Sequence, residues 1–314
     1  MNLKLASKIF AHTGGLFVAL ALLGEPAGAA EPRAEHLVII GCDGMSPDGV
    51  IKAPTPVMHQ LMKSGAYTLH ARGVMPTVSS PNWASMIMGA GPEQHGVTSN
   101  DWETNKFDFP PTVKGPGGMF PTIFGVLREQ RPNSVIACYH DWDGFGRLFE
   151  RAAANVIEHP QGPTNTMDQA IASFKALKPT FTFIHLDHVD HAGHTFGHGT
   201  PEYYQSVVVA DELIGRAIAG LKAAGMWETT ILLVTADHGG KGKGHGGNTM
   251  GELEIPWIIT GPGIVAGREL KTPVNTFDTA ATAAYVLGVQ PPDCWIARPV
   301  TEAFTINGTQ PKKP

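Results

Sequence analysis

Short apolar runs alternate with longer amphipathic segments along most of the chain. The runs are rich in Val, Ile, Leu and Phe and predict buried strands, whereas the amphipathic segments predict helices. The predicted strands begin at His36, Ser134, Phe181, Ile231 and Ile255. This alternation is typical of an α/β fold, a three-layer sandwich in which a mostly parallel central sheet carries helices on both faces.

Apolar positions spaced three and four residues apart predict the longer helices. These helices are expected at 54–64, 120–130, 166–177, 203–224 and 277–287. A shorter helix is expected after Pro76, with Ser80 as its N-cap and Pro81 in its first position. Ser79 would then lie just before the helix, where backbone N–H groups favour an anion. The tail after Pro299 is expected to have no fixed structure.

Composition favours one large globular domain, which we expect at 30–314. The chain has 314 residues, of which 42% are hydrophobic and 16% charged, and its formal net charge is −5. This charge gives no basic surface for a nucleic-acid polymer. It still permits a small-molecule phosphate ester as substrate, because bound divalent cations would reverse the local charge. The oligomeric state is left open.

Residues 1–29 are predicted to be a secretory signal peptide. Lys4 and Lys8 precede an apolar stretch at 14–23, and Ala27 and Ala29 suit signal peptidase. The stretch is short for a bilayer span, so a retained anchor is the alternative and no stable span is expected after cleavage. We therefore expect a secreted or periplasmic protein.

The cysteine content excludes a disulfide framework as the main support of this exported chain. Only Cys42, Cys138 and Cys294 occur, so any disulfide would leave one thiol over. Cys42 lies in a predicted core strand, where a buried thiol is expected. Which cysteines pair, if any, is left open.

Acidic and histidine residues follow several of the predicted strands. Asp43 ends the first strand, and Asp237 and His238 end the strand that begins at Ile231. Asp190 and His194 are four residues apart, so one helical turn would direct both at one cation, although Gly193 lies between them. Because parallel strands place their carboxyl ends at one edge of the sheet, these groups are expected to converge. An Asp-His turn without a metal is the plain alternative.

With His245, these residues supply six nitrogen and oxygen ligands, enough for two divalent cations with three protein ligands each. Such ligands suit zinc or another borderline divalent cation. Two ions about 4 Å apart can stabilise an in-line displacement at phosphorus, and Ser79 is the best-placed hydroxyl nucleophile. The remaining nearby histidines are expected to support the ligands, the core or the surface. They are His185, His188, His191 and His198.

Six motifs in order resemble the nucleotide pyrophosphatase/phosphodiesterase branch of the alkaline phosphatase superfamily. The resemblance covers about 36–265, and each motif alone would be weak. The motifs are Asp43-Gly, Pro76-Thr-Val-Ser79-Ser-Pro-Asn, Gly91-Pro-Glu-Gln-His95-Gly-Val-Thr-Ser-Asn100, Asp190-x-x-Gly-His194, Asp237-His238-Gly and His245. The resemblance implies an alkaline-phosphatase-like fold and hydrolysis of phosphodiesters or nucleotide pyrophosphates through a phospho-serine intermediate.

The resemblance also implies a role for each site residue. One zinc ion would be held by Asp190, His194 and His245. The second would be held by Asp43, Asp237, His238 and the oxygen of the nucleophile. Ser79 would be that nucleophile, with Ser80 as its rival, and Asn100 would donate to a phosphoryl oxygen.

Three other functions share some of these features. A phosphomonoesterase of the same superfamily is the nearest alternative. A sulfatase is disfavoured, since there is no Cys at position 79 and Trp83 stands where its signature requires Arg. A non-catalytic metal-binding module is the third. Aromatic residues around Trp83 and in 140–147 fit a leaving-group pocket and core packing equally well.

Overall fold

The structure is a computed structural model that describes residues 31–305, so the predicted signal peptide lies outside the described residues. The strands are β1 (His36–Cys42), β2 (Ala66–Arg72), β3 (Ile136–His140), β4 (Val156–Glu158), β5 (Phe181–Leu186), β6 (Thr230–Thr235), β7 (Glu254–Thr260) and β8 (Arg268–Glu269). The helices are α1 (Pro47–Lys52), α2 (Pro56–Ser64), α3 (Ser79–Met88), α4 (Pro92–His95), α5 (Ile123–Gln130), α6 (Pro163–Leu177), α7 (His188–Phe196), α8 (Pro201–Ala223), α9 (Met250–Leu253) and α10 (Asp278–Leu287).

The strands form an eight-stranded sheet in the order β4-β3-β5-β1-β6-β7-β2-β8. β7 is antiparallel to both of its neighbours, and the other neighbouring pairs are parallel. Helices α2, α6 and α8 pack together against the sheet, and α3, α5 and α10 form a second group. The predicted α/β fold with a mostly parallel sheet and helices around it is confirmed.

The central strands β5, β1 and β6 are buried along their whole length. Helices cover both faces of these strands, so their side chains must be apolar on both sides, and the sequence reads as continuous hydrophobic runs. β2 was missed in the sequence because half of its residues are partly exposed and polar, which hides it among loop sequences.

The start of α3 differs from the prediction. The helix begins at Ser79, after Val78, and the side chain of Ser80 does not cap it. Instead the backbone N–H of Ser80 donates to Asn100 Oδ1 at 2.8 Å. A distant side chain therefore supplies the capping oxygen, and Ser79 occupies the first turn of the helix instead of preceding it.

The expectation that the tail after Pro299 has no fixed structure is wrong for its described part. Val300, Ala303 and Phe304 are buried, and the N–H of Val265 donates to the carbonyl of Ala303 at 2.9 Å. Burial of these apolar side chains offsets the entropy of ordering the segment.

The cysteines are free thiols, with Cys42 and Cys138 buried in the core strands. This agrees with the expectation of a buried thiol at Cys42. None of the helices between residues 31 and 305 has the length and apolar character that a membrane span requires.

Tyr203 of α8 holds the loop that follows β1. Its hydroxyl donates to the carbonyl of Gly44 at 2.9 Å and accepts the N–H of Ser46 at 2.9 Å. Tyr203 is fully buried, so these bonds fix the loop directly after Asp43.

We expect Tyr203→Phe to lower the free energy of unfolding by about 1–3 kcal/mol, because it leaves two buried backbone groups without partners. Chemical denaturation measures this change. Tyr204→Phe is the matched control, since the Tyr204 hydroxyl donates to Asp48 in a more exposed position. An equal or larger loss in the Tyr204 variant would contradict the role given to Tyr203.

Candidate active site

The predicted strand-end residues converge because β5, β1 and β6 are neighbours in the sheet. β1 leads into Asp43, β6 into Asp237, and β5 into the helix that carries Asp190. The ligand atoms of the six predicted residues fall into two groups, each with its atoms within 4.8 Å of one another. We call Asp43, Asp237 and His238 the buried set. We call Asp190, His194 and His245 the open set.

In the buried set, both carboxylates lie close to one nitrogen atom of the histidine. His238 Nε2 lies 3.4 Å from Asp43 Oδ1 and 3.3 Å from Asp237 Oδ2. Ser79 Oγ is 3.3 Å from the same nitrogen. All four residues are buried, and His238 and Asp237 are fully so. The structure therefore places the predicted nucleophile beside this set.

The open set lies at the solvent side. Asp190 and His194 are on α7, whose helical turn brings His194 Nε2 to 3.1 Å from Asp190 Oδ2 despite Gly193. His245 Nε2 lies 3.1 Å from His194 Nε2. The rings of His238 and His245 stack at 3.9 Å between centroids, so the two sets are adjacent.

Each histidine of the two sets is oriented by a backbone carbonyl. The Nδ1 atom of His194 is 2.9 Å from the carbonyl oxygen of Lys243. The Nδ1 atom of His238 is 2.8 Å from the carbonyl oxygen of the next residue, Gly239. His245 Nδ1 is 2.9 Å from the carbonyl of Thr77. A carbonyl only accepts, so Nδ1 carries the proton and the Nε2 lone pair faces the site. Ligating histidines in proteins are held this way.

The electrostatics of both sets fit cations. Asp43 Oδ1, Asp190 Oδ1 and Asp237 Oδ2 are buried and have no hydrogen-bond donor among residues 31–305. They face Nε2 lone pairs, which repel them unless a cation or proton lies between. Burial, reinforced at Asp190 by the charge of Asp43, raises the pKa of Asp43 and of Asp190 to about 7. Burial raises the pKa of Asp237 well above its usual value and lowers that of His238.

Asn100 lies beside the nucleophile helix. Its Oδ1 accepts the N–H of Ser80, and its backbone carbonyl accepts from the guanidinium of Arg147. Because Oδ1 is occupied, Nδ2 is the end of the amide that is free to donate to a bound anion. This orientation suits the predicted role, although Ser80, and not substrate, is what the structure shows in contact.

Trp83 and His185 surround Asp43 on its far side; the sequence predicted a supporting role for His185 but no contact between Trp83 and Asp43. Trp83 Nε1 donates to Asp43 Oδ2 at 3.0 Å, and His185 Nε2 is 3.2 Å from the same oxygen. Asp43, His185 and Asp187 also form a third group of ligand-type atoms. Trp83 and Phe145 are fully buried, so core packing accounts for them and not a leaving-group pocket. The position of His185 at the end of β5 was the only signal in the sequence.

The chain matches known proteins in both sequence and fold. Residues 37–242, more than half of the chain, match the family model for type I phosphodiesterase / nucleotide pyrophosphatase. The chain belongs to this family. Murine (Mus musculus) bis(5'-adenosyl)-triphosphatase enpp4 is 24% identical over 229 residues, which are 69% of this chain and 49% of that relative. The chain thus spans about half or less of the length of the curated relatives it matches.

Solved structures share the fold with this family member. Murine ectonucleotide pyrophosphatase/phosphodiesterase 5, as an inactive variant in complex with AMP, superposes with a TM-score of 0.71 at 17% identity, over 86% of this chain and 100% of that one. A variant of the alkaline phosphatase PafA superposes with a TM-score of 0.73 at 12% identity, over 88% of this chain and 100% of that one. The expected alkaline-phosphatase-like fold is confirmed.

We expect zinc binding to release more protons at pH 6 than at pH 8. A raised pKa keeps Asp43 and Asp190 protonated below about 7 in the metal-free protein, and zinc binds only their carboxylate forms. Affinity should therefore rise with pH up to about 7. Calorimetric titration with zinc in buffers of different ionisation enthalpy measures the protons released, and equal release at both pH values would refute this assignment.

Proposed function

We propose that this family member is a two-zinc phosphoesterase that hydrolyses phosphodiesters or nucleotide pyrophosphates through a covalent phospho-serine intermediate. One observation carries the proposal. The hydroxyl of Ser79 lies 3.3 Å from His238 Nε2, an atom that also faces two buried carboxylates. A serine in such surroundings is next to a cation site, and adjacent positive charge activates a hydroxyl nucleophile.

The donor sets divide the ions as the resemblance implies. Asp190, His194 and His245 would hold one zinc ion. Asp43, Asp237, His238 and the oxygen of Ser79 would hold the other. When bound, the two ions supply Lewis acidity and neutralise the charge that develops on the phosphoryl oxygens. Other divalent cations with similar ligand preferences are possible occupants.

In the first step the Ser79 hydroxyl loses its proton to solvent and its oxygen forms a bond to phosphorus, while the bond to the leaving oxygen breaks and the leaving group departs into solvent, which supplies a proton where its pKa requires one. Ser79 is in the first turn of α3, at the positive end of the helix dipole, which favours the anionic group being transferred. Asn100 Nδ2 donates to a phosphoryl oxygen, with its amide held in place by the N–H of Ser80. In the second step water cleaves the phospho-serine bond and regenerates the hydroxyl.

The open set gives the substrate and water a path to the reaction centre. The side chain of His194 is 48% exposed, whereas those of His238 and Asp237 are fully buried. A phosphate ester therefore enters from the side of His194 and meets Ser79 at the inner end of the site. We propose that the reaction takes place outside the cytoplasm, in the periplasm or after secretion, on the basis of the signal-like residues 1–29.

The preference for diesters over monoesters rests on the names of the relatives. One is a bis(5'-adenosyl)-triphosphatase and another an ectonucleotide pyrophosphatase/phosphodiesterase. Initial rates on thymidine p-nitrophenyl phosphate, a diester, and on p-nitrophenyl phosphate, a monoester, test it. We expect faster release of p-nitrophenol from the diester, loss of both activities with a chelator and recovery with zinc. A faster monoester reaction would make this a phosphomonoesterase, and bound zinc without turnover would indicate a metal-binding module.

We expect Ser79→Ala to lower kcat on the diester on the order of 10³-fold or more, since the covalent step has no nucleophile. Zinc content, measured by mass spectrometry, should remain at two ions, because three protein ligands of each set are intact. Ser80→Ala is the matched control, since its hydroxyl is fully buried and its backbone N–H, not its side chain, binds Asn100. Loss of turnover in the Ser80 variant, with Ser79→Ala active, would reverse the assignment.

A further inference from the structure

Trp83 connects the helix of the nucleophile to a carboxylate of the buried set. It lies one turn beyond Ser79 on α3, and its indole N–H donates to Asp43 Oδ2 at 3.0 Å. Both side chains are buried, Trp83 at 0% and Asp43 at 1% exposure. A bond between two groups so far from water is electrostatically strong, because the surrounding dielectric is low.

The two oxygens of Asp43 have different surroundings. Oδ2 accepts from Trp83 and lies 3.2 Å from His185 Nε2, which can donate to it as well. Oδ1 has no hydrogen-bond donor in the described part of the chain and lies 3.4 Å from His238 Nε2. The two N–H groups therefore engage one oxygen and leave the other to face the buried set.

The indole has little freedom to turn away. A Cβ atom placed on Gly41 of β1 would lie only 2.5 Å from the Trp83 ring, so the ring packs directly on the strand backbone. Its edges contact the rings of Phe145, Phe183 and His185 at centroid distances of 5.7, 6.0 and 4.8 Å. This packing fixes the direction of the N–H group.

We propose that Trp83 is a positioning residue. It holds Asp43 so that only Oδ1 faces the cation of the buried set, and in this way it fixes the distance between that cation and Ser79. The inference rests on the proposed function, since it concerns the cation that the buried set would hold. Partners of ligating groups commonly contribute 10–100-fold to metal affinity or activity.

The test compares two buried tryptophans. Trp83→Phe keeps most of the ring but removes the donor to Asp43. Trp257→Phe is the matched control, because Trp257 is also fully buried and donates to Thr279 Oγ1 at 3.1 Å, away from both sets. Zinc affinity by competition with a chelating dye, melting temperature and kcat on the diester are measured for both variants.

We expect Trp83→Phe to lower the affinity for one of the two zinc ions by about 10–100-fold and to lower kcat. Both effects are typical of lost ligand positioning. Trp257→Phe should change the melting temperature by a similar amount and leave zinc affinity unchanged. Wild-type zinc affinity in the Trp83 variant, or an equal loss in both variants, would overturn the proposal.

His185→Phe keeps the question decidable if Trp83→Phe does not fold. It removes the other donor to Asp43 Oδ2 and should also lower the affinity for one zinc ion. Unchanged zinc affinity would count against the proposed arrangement. The wild-type protein separates the two levels of inference. If it neither binds zinc nor hydrolyses either ester, the proposed function fails. If it does both and the variants bind zinc normally, only the positioning role fails.

Discussion

The site depends on one electrostatic constraint: carboxylates and histidine lone pairs, which repel one another, are held close together at one edge of the sheet. Asp43, Asp190 and Asp237 are buried side by side, and the Nε2 lone pairs of His194, His238 and His245 point into the same space. Without cations, protonation of the carboxyl groups relieves this repulsion, in line with the raised pKa values that burial gives them. Divalent cations would attract these groups and remove the repulsion between them, which favours binding of the ions.

The central strands of the sheet hold these groups in place. Strands β1 and β6 lead directly to Asp43 and Asp237, β5 leads into the helix that carries Asp190, and the parallel pairing of these strands keeps their ends in register. The loop after β1 must also pass very close to α7. Gly44 adopts φ of 68°, and a Cβ there would lie 2.7 Å from the side chain of Asp190. Glycine is therefore required for the open and buried sets to be adjacent.

The family match covers every residue of the two sets except His245. The match to the family model ends at residue 242, whereas His245 lies just beyond it and completes the open set. The ligand-type residues of both sets lie between Asp43 and His245, within the described part of the chain. Curated relatives match this region over about half of their own length or less.

The sequence by itself determined the fold class and the chemical type of the site. Continuous apolar runs that end in Asp43 and Asp237 predict strands buried on both faces with an acid at the carboxyl end. The family motifs then supplied Ser79, Asn100 and the ligand assignment. The tertiary structure decided what depends on long-range contacts. The start of α3 is set by Asn100, the orientations of His194 and His245 by carbonyls of distant loops, and the two donors to Asp43 by packing of Trp83 and His185. These partners are separated along the chain by up to 168 residues. Local pattern and propensity carry no information about such contacts, because they arise only when the sheet brings distant segments together.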